Sequence, residues 1–538
     1  NINLIFWLLI HNLSLTLRWS NIMLFVSQTI KKKKMIKQIK LHKLTLTLLG
    51  LFAISCSTDD DVENVNGVPV AQNLTMTIDD GVPAEIELAA TDSDYDPLTF
   101  KIVDEPTLGT VVISGNKATY TPNDNADGAD SFSYVANDGT TDSNKATVTV
   151  TVNGSFVLSG TYTTNKTLTA DKIWSLNGRV FIADGATLTI PAGTIIKAAG
   201  GTGTDSSFIC IARGGKIDAQ GTADKPIIMT TVADDIKVGA KNGSNLDASN
   251  VGLWGGLLVL GKAPGSFKGD VSEYQIEGIP AEETNGLYGG SDAADNSGTI
   301  NYVSIRHGGT SIGEDNEING LTLGGVGTGT TISNVEVIGN QDDGIEFFGG
   351  TVNASNLLVW GQGDDGLDID QSYAGTISNA IVIANSTSDH GLEIDGPEGS
   401  MKDSFKLENI TLIGDSSASN GEYADFRKGA LGSVKNLYAH GFQVGKDFEL
   451  DAEADSASFE AGTLTFTNIE IVVPDGSTIT GGDLFNDKSD TPNAMFEDAK
   501  NLAGETFATS VTNETKTVGA DRTKFSWTFA NYKEAIRE

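Results

Sequence analysis

The 538 residues include 36 basic and 71 acidic side chains, a formal net charge of −35, with 62 glycines against 12 prolines. A chain this long can bury large cores unaided; its two cysteines exclude a disulfide framework, and its negative field excludes nucleic acid as a natural partner. Abundant glycine with little proline suits many short strands joined by tight turns, so an all-β fold is expected.

Residues 1–34 carry short apolar runs and end in four lysines before Met35, the pattern of translated sequence upstream of a true start. From Met35 the chain reads MIKQIKLHKLTLTLLGLFAISC: a basic stretch, an apolar run too short to span a bilayer, then small residues before Cys56. Residues 35–55 are therefore expected to be a secretory signal. The segment resembles a bacterial lipoprotein leader, with Ala53 where such leaders usually carry Leu, and the resemblance implies that Cys56 is the acylated first residue. In the tether 56–66, Ser57-Thr58-Asp59-Asp60-Asp61 is similar to the acidic stretch that sends Bacteroidetes lipoproteins to the outer face of the outer membrane. Loss of residues 1–55, which hold eight of the basic residues and none of the acidic ones, leaves a net charge of −43. Such a surface repels anionic polymers unless divalent cations, calcium in particular, screen it.

Residues 67–152 alternate apolar and polar positions in short runs, with turn signals about every ten residues, as in a β-sandwich. The phrases PVAQN, TDSDYDPLTF and GTVVISGNKATYTPNDNADGADSFSYVANDG resemble bacterial Ig-like and cadherin-like repeats. Asp92, Asp94 and Asp96 alternate at a strand end, where they either converge on a calcium ion or bond their own backbone as a polar turn.

Residues 155–485 repeat a unit of about two dozen residues, clearest in TISNVEVIGNQDDGIEFFGG, ASNLLVWGQGDDGLDIDQSYAG and ISNAIVIANSTSDHGLEIDG. One coil of a right-handed parallel β-helix needs this length. Alternation along each strand places Ile345, Leu367 and Leu392 inside, and Glu346, Asp368 and Glu393 outside, with Asp370 and Asp395 two residues further on the same side. YADFRKG and DFELDAE continue the outer column with Asp425 and Glu449. A column of like charges at strand spacing needs cations, basic neighbours or open water. With GRVFIADGATLTIPAGTIIKA, GLWGGLLVLGKAPG and DNSGTINYVSIRHGG, the segment resembles a family of secreted or lipid-anchored β-helix proteins of Bacteroidetes. Residues 486–538 lose the repeat and are expected to cap the final coil.

Asp343, Asp364, Asp365, His390, Arg427 and Lys428 fall on successive coils in an order that resembles the active site of pectin-cleaving polygalacturonases. The resemblance implies that Asp343 and Asp364 activate water, Asp365 protonates the leaving oxygen, His390 supports it, and Arg427 with Lys428 holds a uronate carboxylate. The sequence departs from that pattern. An extra residue lies in Asn340-Gln341-Asp342-Asp343-Gly344, Asp389 replaces the glycine before His390, and nothing separates Arg427 from Lys428 to point both side chains one way. The simpler account is turn chemistry at one corner of every coil, glycine accepting positive φ and aspartate bonding its own backbone. Trp254, Trp360, Tyr288, Phe347 and Phe348 are either core or sugar-stacking rings, and His307, His440 and Cys210 read as structural. The expected function is non-enzymatic binding or adhesion to extracellular polysaccharide or cell-surface components through the acidic face; the alternative is a polysaccharide hydrolase or lyase on the same face.

Overall fold

The computed structural model describes residues 66–536, apart from 80–81, 124–125, 155, 314–317 and 419–420. The signal segment, Cys56 and all but the last residue of the acidic tether lie outside the described residues.

Strict alternation shapes the first domain. In Ala146–Asn153, Ala146, Val148, Val150 and Val152 are buried and the residues between them are exposed, so one face of the strand is core. It pairs in parallel with Leu74–Asp79 and antiparallel with Gly128–Asn137, within a four-stranded sheet that ends at Thr99–Asp104. A second sheet of three strands joins Ala84–Glu87, Lys117–Pro122 and Gly109–Ser114. Buried Tyr120 donates to Asp130 Oδ2 at 2.6 Å, and the same carboxylate accepts from the backbone N–H groups of Thr107 and Leu108 at 3.0 and 2.8 Å. That buried charge is therefore fully bonded.

The second domain is a parallel β-helix. Among the described residues, 24 strands from Val157–Tyr162 to Ala508–Ser510 form one wound ladder. Each coil hydrogen-bonds to the next in fixed register: Ile345 stacks on Leu367, then Leu392, Ala424, Phe448 and Phe485. None of these six is more than 1% exposed, and full burial of one such side chain stabilises the coil by about 1.5–3 kcal/mol.

Two repeated residues set the corner geometry. A Cβ at Gly344 would stand 2.2 Å from Val359 Cγ1 and 2.7 Å from Gly366 O; at Gly366 it would stand 2.4 Å from Val382 Cγ1 and 2.6 Å from Gly391 O. Neither glycine has a positive φ, so close approach of backbone and neighbouring core explains them, and the expected positive-φ role does not. One recurring left-handed position falls on Asn334, Asn356, Asn379, Asn409, Asn436 and Asn468, with φ between 53° and 60°. Asparagine tolerates that conformation. Its amide then joins coils, Asn379 Nδ2 donating to Asn356 Oδ1 at 2.6 Å and Asn356 Nδ2 to Asn334 Oδ1 at 3.1 Å.

The outward face of the site-bearing strands changes character along the helix. At its start Phe181, Phe208, Leu258 and Leu260 form an apolar strip, covered by Phe267, Ile276, Ile279 and Tyr288 from the arm of residues 262–296. Cys210 lies beneath the same cover with no exposure. Further on, the register position of Phe181, Cys210 and Leu258 passes through Thr322 to Glu346 and the acidic column.

The C-terminal segment does two things where only capping was expected. Phe496 and Phe507 pack their rings on Phe485 at 5.5 and 5.3 Å and close the last coil. From about residue 511 the chain returns along the flank, where Phe525, Phe529 and Ala530 cover Ile338, Leu358 and Ile381. There Ala530 N donates to Glu336 Oε1 at 2.9 Å, and the Arg306 guanidinium lies 4.6 Å from the Phe529 ring centre. The outer stripe of coil side chains is apolar, and burying it offsets the cost of ordering this tail.

Candidate functional site

Register alone brings the acidic residues together. Glu346, Asp368, Glu393, Asp425 and Glu449 are direct neighbours on adjacent coils. All five point away from the apolar interior, as alternation requires, but they are only 5–9% exposed, so open water does not relieve their repulsion. The arm explains part of the cover. Tyr288 donates to Gln371 Oε1 at 2.8 Å, Ser266 N to Gln371 O at 2.8 Å, and Gly399 N to Ser266 Oγ at 3.0 Å, which seats the arm and the loop after Asp395 beside the column.

Basic neighbours relieve the column at some steps and not at others. Arg427 contacts Glu393 and also binds Asp395 through Nε at 2.7 Å and Nη2 at 3.1 Å. Lys428 Nζ reaches Asp395 Oδ2 at 2.5 Å. Lys428 takes φ 54°, and this left-handed residue is what lets two consecutive side chains reach one carboxylate. Lys488 contacts Glu449. Among the described residues, the side-chain hydrogen bond to Glu346 comes from the Asn319 amide. Among the described residues, Asp368 Oδ1 and Asp425 Oδ1 have no hydrogen-bond partner, and both are closed to solvent.

The energetic consequence is a raised affinity for protons. Burial first, then Asp368, holds the Asp343 carboxyl well above its ordinary range, and burial followed by Asp368 does the same for Glu346. Asp368 is held up by burial and then by Asp370. Asp370 is pushed up to about 7 by burial and Asp395, and Asp425 to about 7 by burial and Glu449. Carboxylate oxygens of Asp343, Glu346 and Asp368 lie within 4.8 Å of one another, as do single ligand atoms of Asp365, His390 and Glu393, and of Asp342, Asp343 and Asp364.

The residues matched to the polygalacturonase pattern lie on successive coils. Asp365 is 2% exposed, and its Oδ1 lies 2.8 Å from both the backbone N and Nδ1 of His390. It braces the next coil and is closed to a leaving oxygen. Burial works against a charged His390 ring, yet the bond to Asp365 and the nearby acids outweigh it and raise that ring to about 9. Asp343 Oδ1 similarly accepts from Asp365 N at 2.9 Å. Arg427 and Lys428 are held by Glu393 and Asp395, so neither stands free to hold a uronate. Of the six, Asp364 and Lys428 are exposed, and the Asp364 carboxyl is lifted to about 6 by partial burial, then Asp365 and Asp389.

In the sandwich, Asp92 Oδ1 accepts from the N–H groups of Asp94 and Asp96 at 2.8 and 3.3 Å, the backbone-turn arrangement. Among the described residues, the carboxylates that gather within 4.8 Å all lie on the β-helix. Trp254, Tyr288, Phe347 and Phe348 are core rings, at most 6% exposed, and Trp360 is half-buried. His307 is buried with Nδ1 2.9 Å from Asn250 O, and His440 is 8% exposed. Sequence reading missed Asn319, Lys488, Glu422, Asp447 and Asp451; the last three stand in or beside the quoted repeats, and their acidity was the available signal.

A wound parallel ladder defines a β-helix solenoid, here with an acidic column on its outer face. Residues 160–529 match the model of the pectate-lyase-like β-helix domain, and the chain belongs to that family; residues 66–151 match a bacterial Ig domain. No curated protein matches the chain. Among solved structures, the endo-fucoidan hydrolase MfFcnA4 of glycoside hydrolase family 107 shares 13% identity over 24% of this chain, and a single-residue variant of it 14% over 22%; each alignment spans 19% of the hydrolase at a TM-score of 0.16.

Proposed function

We propose that this protein is an exported lipoprotein of a Bacteroidetes-type outer membrane, anchored through Cys56, that binds extracellular polysaccharide on its acidic β-helix face with a divalent cation, calcium, at Asp343, Glu346 and Asp368. One observation carries the binding reading: an in-register column of outward carboxylates, one per coil, in which Asp368 keeps a buried oxygen without a partner among the described residues. Hard carboxylate oxygens favour calcium, and a bound cation would let the face accept sugar hydroxyls and anionic groups that the bare column repels. The Ig domain serves as a spacer between anchor and helix.

Catalysis is the second reading, favoured by Asp364, an exposed acid whose carboxyl at about 6 suits proton transfer near neutral pH. The deciding experiment passes the purified protein over immobilised neutral and uronate-rich polysaccharides, with calcium and with chelator, and assays released reducing ends and unsaturated products. Calcium-dependent retention without product supports binding. Product lost in Asp364→Asn supports catalysis, and a panel blank on both counts contradicts both readings.

A further inference from the structure

The last coils gather a second set of acids, apart from the Asp343 group. Glu449, in the three-residue strand Phe448–Leu450, stands opposite Asp425 one coil earlier, and Asp451 lies two residues beyond Glu449. Oxygens of Asp425, Glu449 and Asp451 lie within 4.8 Å of one another, and those of Glu422, Asp447 and Glu449 form an adjoining group through the shared Glu449. Oxygens bound to one calcium ion at about 2.4 Å are separated by no more than about 4.8 Å, so the spacing fits a common ion.

Acidity alone would not make this a site. Asp425, however, is 8% exposed, and its Oδ1 is closed to solvent with no hydrogen-bond partner among the described residues. A buried polar oxygen left in that state costs about 1–3 kcal/mol, more when charged. The chain supplies partial relief elsewhere in the cluster: Lys488 contacts Glu449, and Lys446 Nζ lies 3.4 Å from Glu422 Oε1. Neither lysine bonds Asp425 or Asp451. Exposed Asp451 opens the group to an ion from solution.

We propose that Asp425, Glu449 and Asp451 hold a calcium ion that clamps the last coils of the helix together. The place needs one. On this face the strands shorten to three residues, Phe448–Leu450 and Phe485–Asp487, against six in Glu422–Arg427, so fewer ladder bonds lie beside the carboxylates, while Gly432–His440 and Leu464–Ile471 stay paired over seven positions on another side of the same coils. The clamp does not depend on the polysaccharide reading.

Calorimetric titration and thermal unfolding of the full chain, stripped with chelator and returned to calcium, test the clamp. Calcium should raise the unfolding midpoint. Asp451→Asn, at an exposed position the fold tolerates, should weaken calcium affinity at this site at least tenfold, and Asp425→Asn should remove its heat of binding, while Asp368→Asn leaves it in place. Calcium titrations of Asp425→Asn and Asp451→Asn that match the unaltered protein would overturn the proposal, as would an unaltered protein that takes up no calcium.

Discussion

Asp365 and Asp368 stand three residues apart and should have opposite effects on stability. Asp365 Oδ1 accepts from the backbone N–H of His390 and lies 2.8 Å from its ring Nδ1, whereas Asp368 is buried among acids with one oxygen unpaired among the described residues. Asp368→Asn removes a buried charge and keeps the shape, so in chelator at pH 8 the unfolding midpoint should rise by about 2–4 °C; a fall would show that Asp368 has a partner we have not identified. Asp365→Asn should act the other way. His390 titrates at about 9 because Asp365 holds its charged form, and NMR of the imidazole should show that value dropping toward the ordinary 6.5 in the variant. An unchanged titration would assign the shift to Glu393, Asp389 and Asp425 alone.

At the scale of the strand and coil, fixed register converts one repeated residue into a column, whether of leucine, asparagine or carboxylate. Asn356 takes φ 55° and bonds both neighbouring coils through its amide. Asn356→Ala should cost about 1–3 kcal/mol in denaturant unfolding, from backbone strain and two lost bonds. Asn356→Gly, which removes only the bonds, should cost less, and equal losses would contradict the assignment of strain. Much of this element was legible in the sequence. The 22- and 25-residue spacing of Gly344, Gly366 and Gly391 yields the coil length, and period-two alternation yields Glu346, Asp368 and Glu393 in register. What alternation cannot show is cover. It distinguishes inside from outside the coil, but the arm of residues 262–296 docks through Tyr288 and Ser266 onto Gln371, a contact some 80 to 100 residues distant in sequence. The sequence thus places the column outside the coil, leaving open whether water, cations or basic neighbours relieve it, and the structure buries it. Likewise, the pairing of Arg427 and Lys428 on Asp395 depends on a left-handed Lys428 that local sequence does not announce, and the returning tail is placed by an apolar flank assembled from four coils.

For the whole molecule, these burials set a pH dependence. Asp370 and Asp425 at about 7 lie above their ordinary 3.8, and His390 at about 9 lies above 6.5. The folded state thus holds protons that the unfolded chain releases, so their contribution is full at low pH and is lost as pH rises, from about 4 to 7 for the carboxyls and from about 6.5 to 9 for the imidazole. The unfolding midpoint in chelator should fall steadily between pH 5 and 9, and calcium should restore most of the loss at the upper end. A midpoint that climbs over that interval would contradict the electrostatic account. The most direct test of the central claim is affinity electrophoresis through polysaccharide-loaded gels, with calcium and with chelator. It would compare the unaltered protein with Glu346→Gln/Asp368→Asn and with Asp475→Asn/Asp490→Asn, a pair at exposed positions that removes the same charge away from the column. The account predicts calcium-dependent retardation of the unaltered protein and of the distant pair, and its loss in Glu346→Gln/Asp368→Asn. Equal retardation of all three would contradict it.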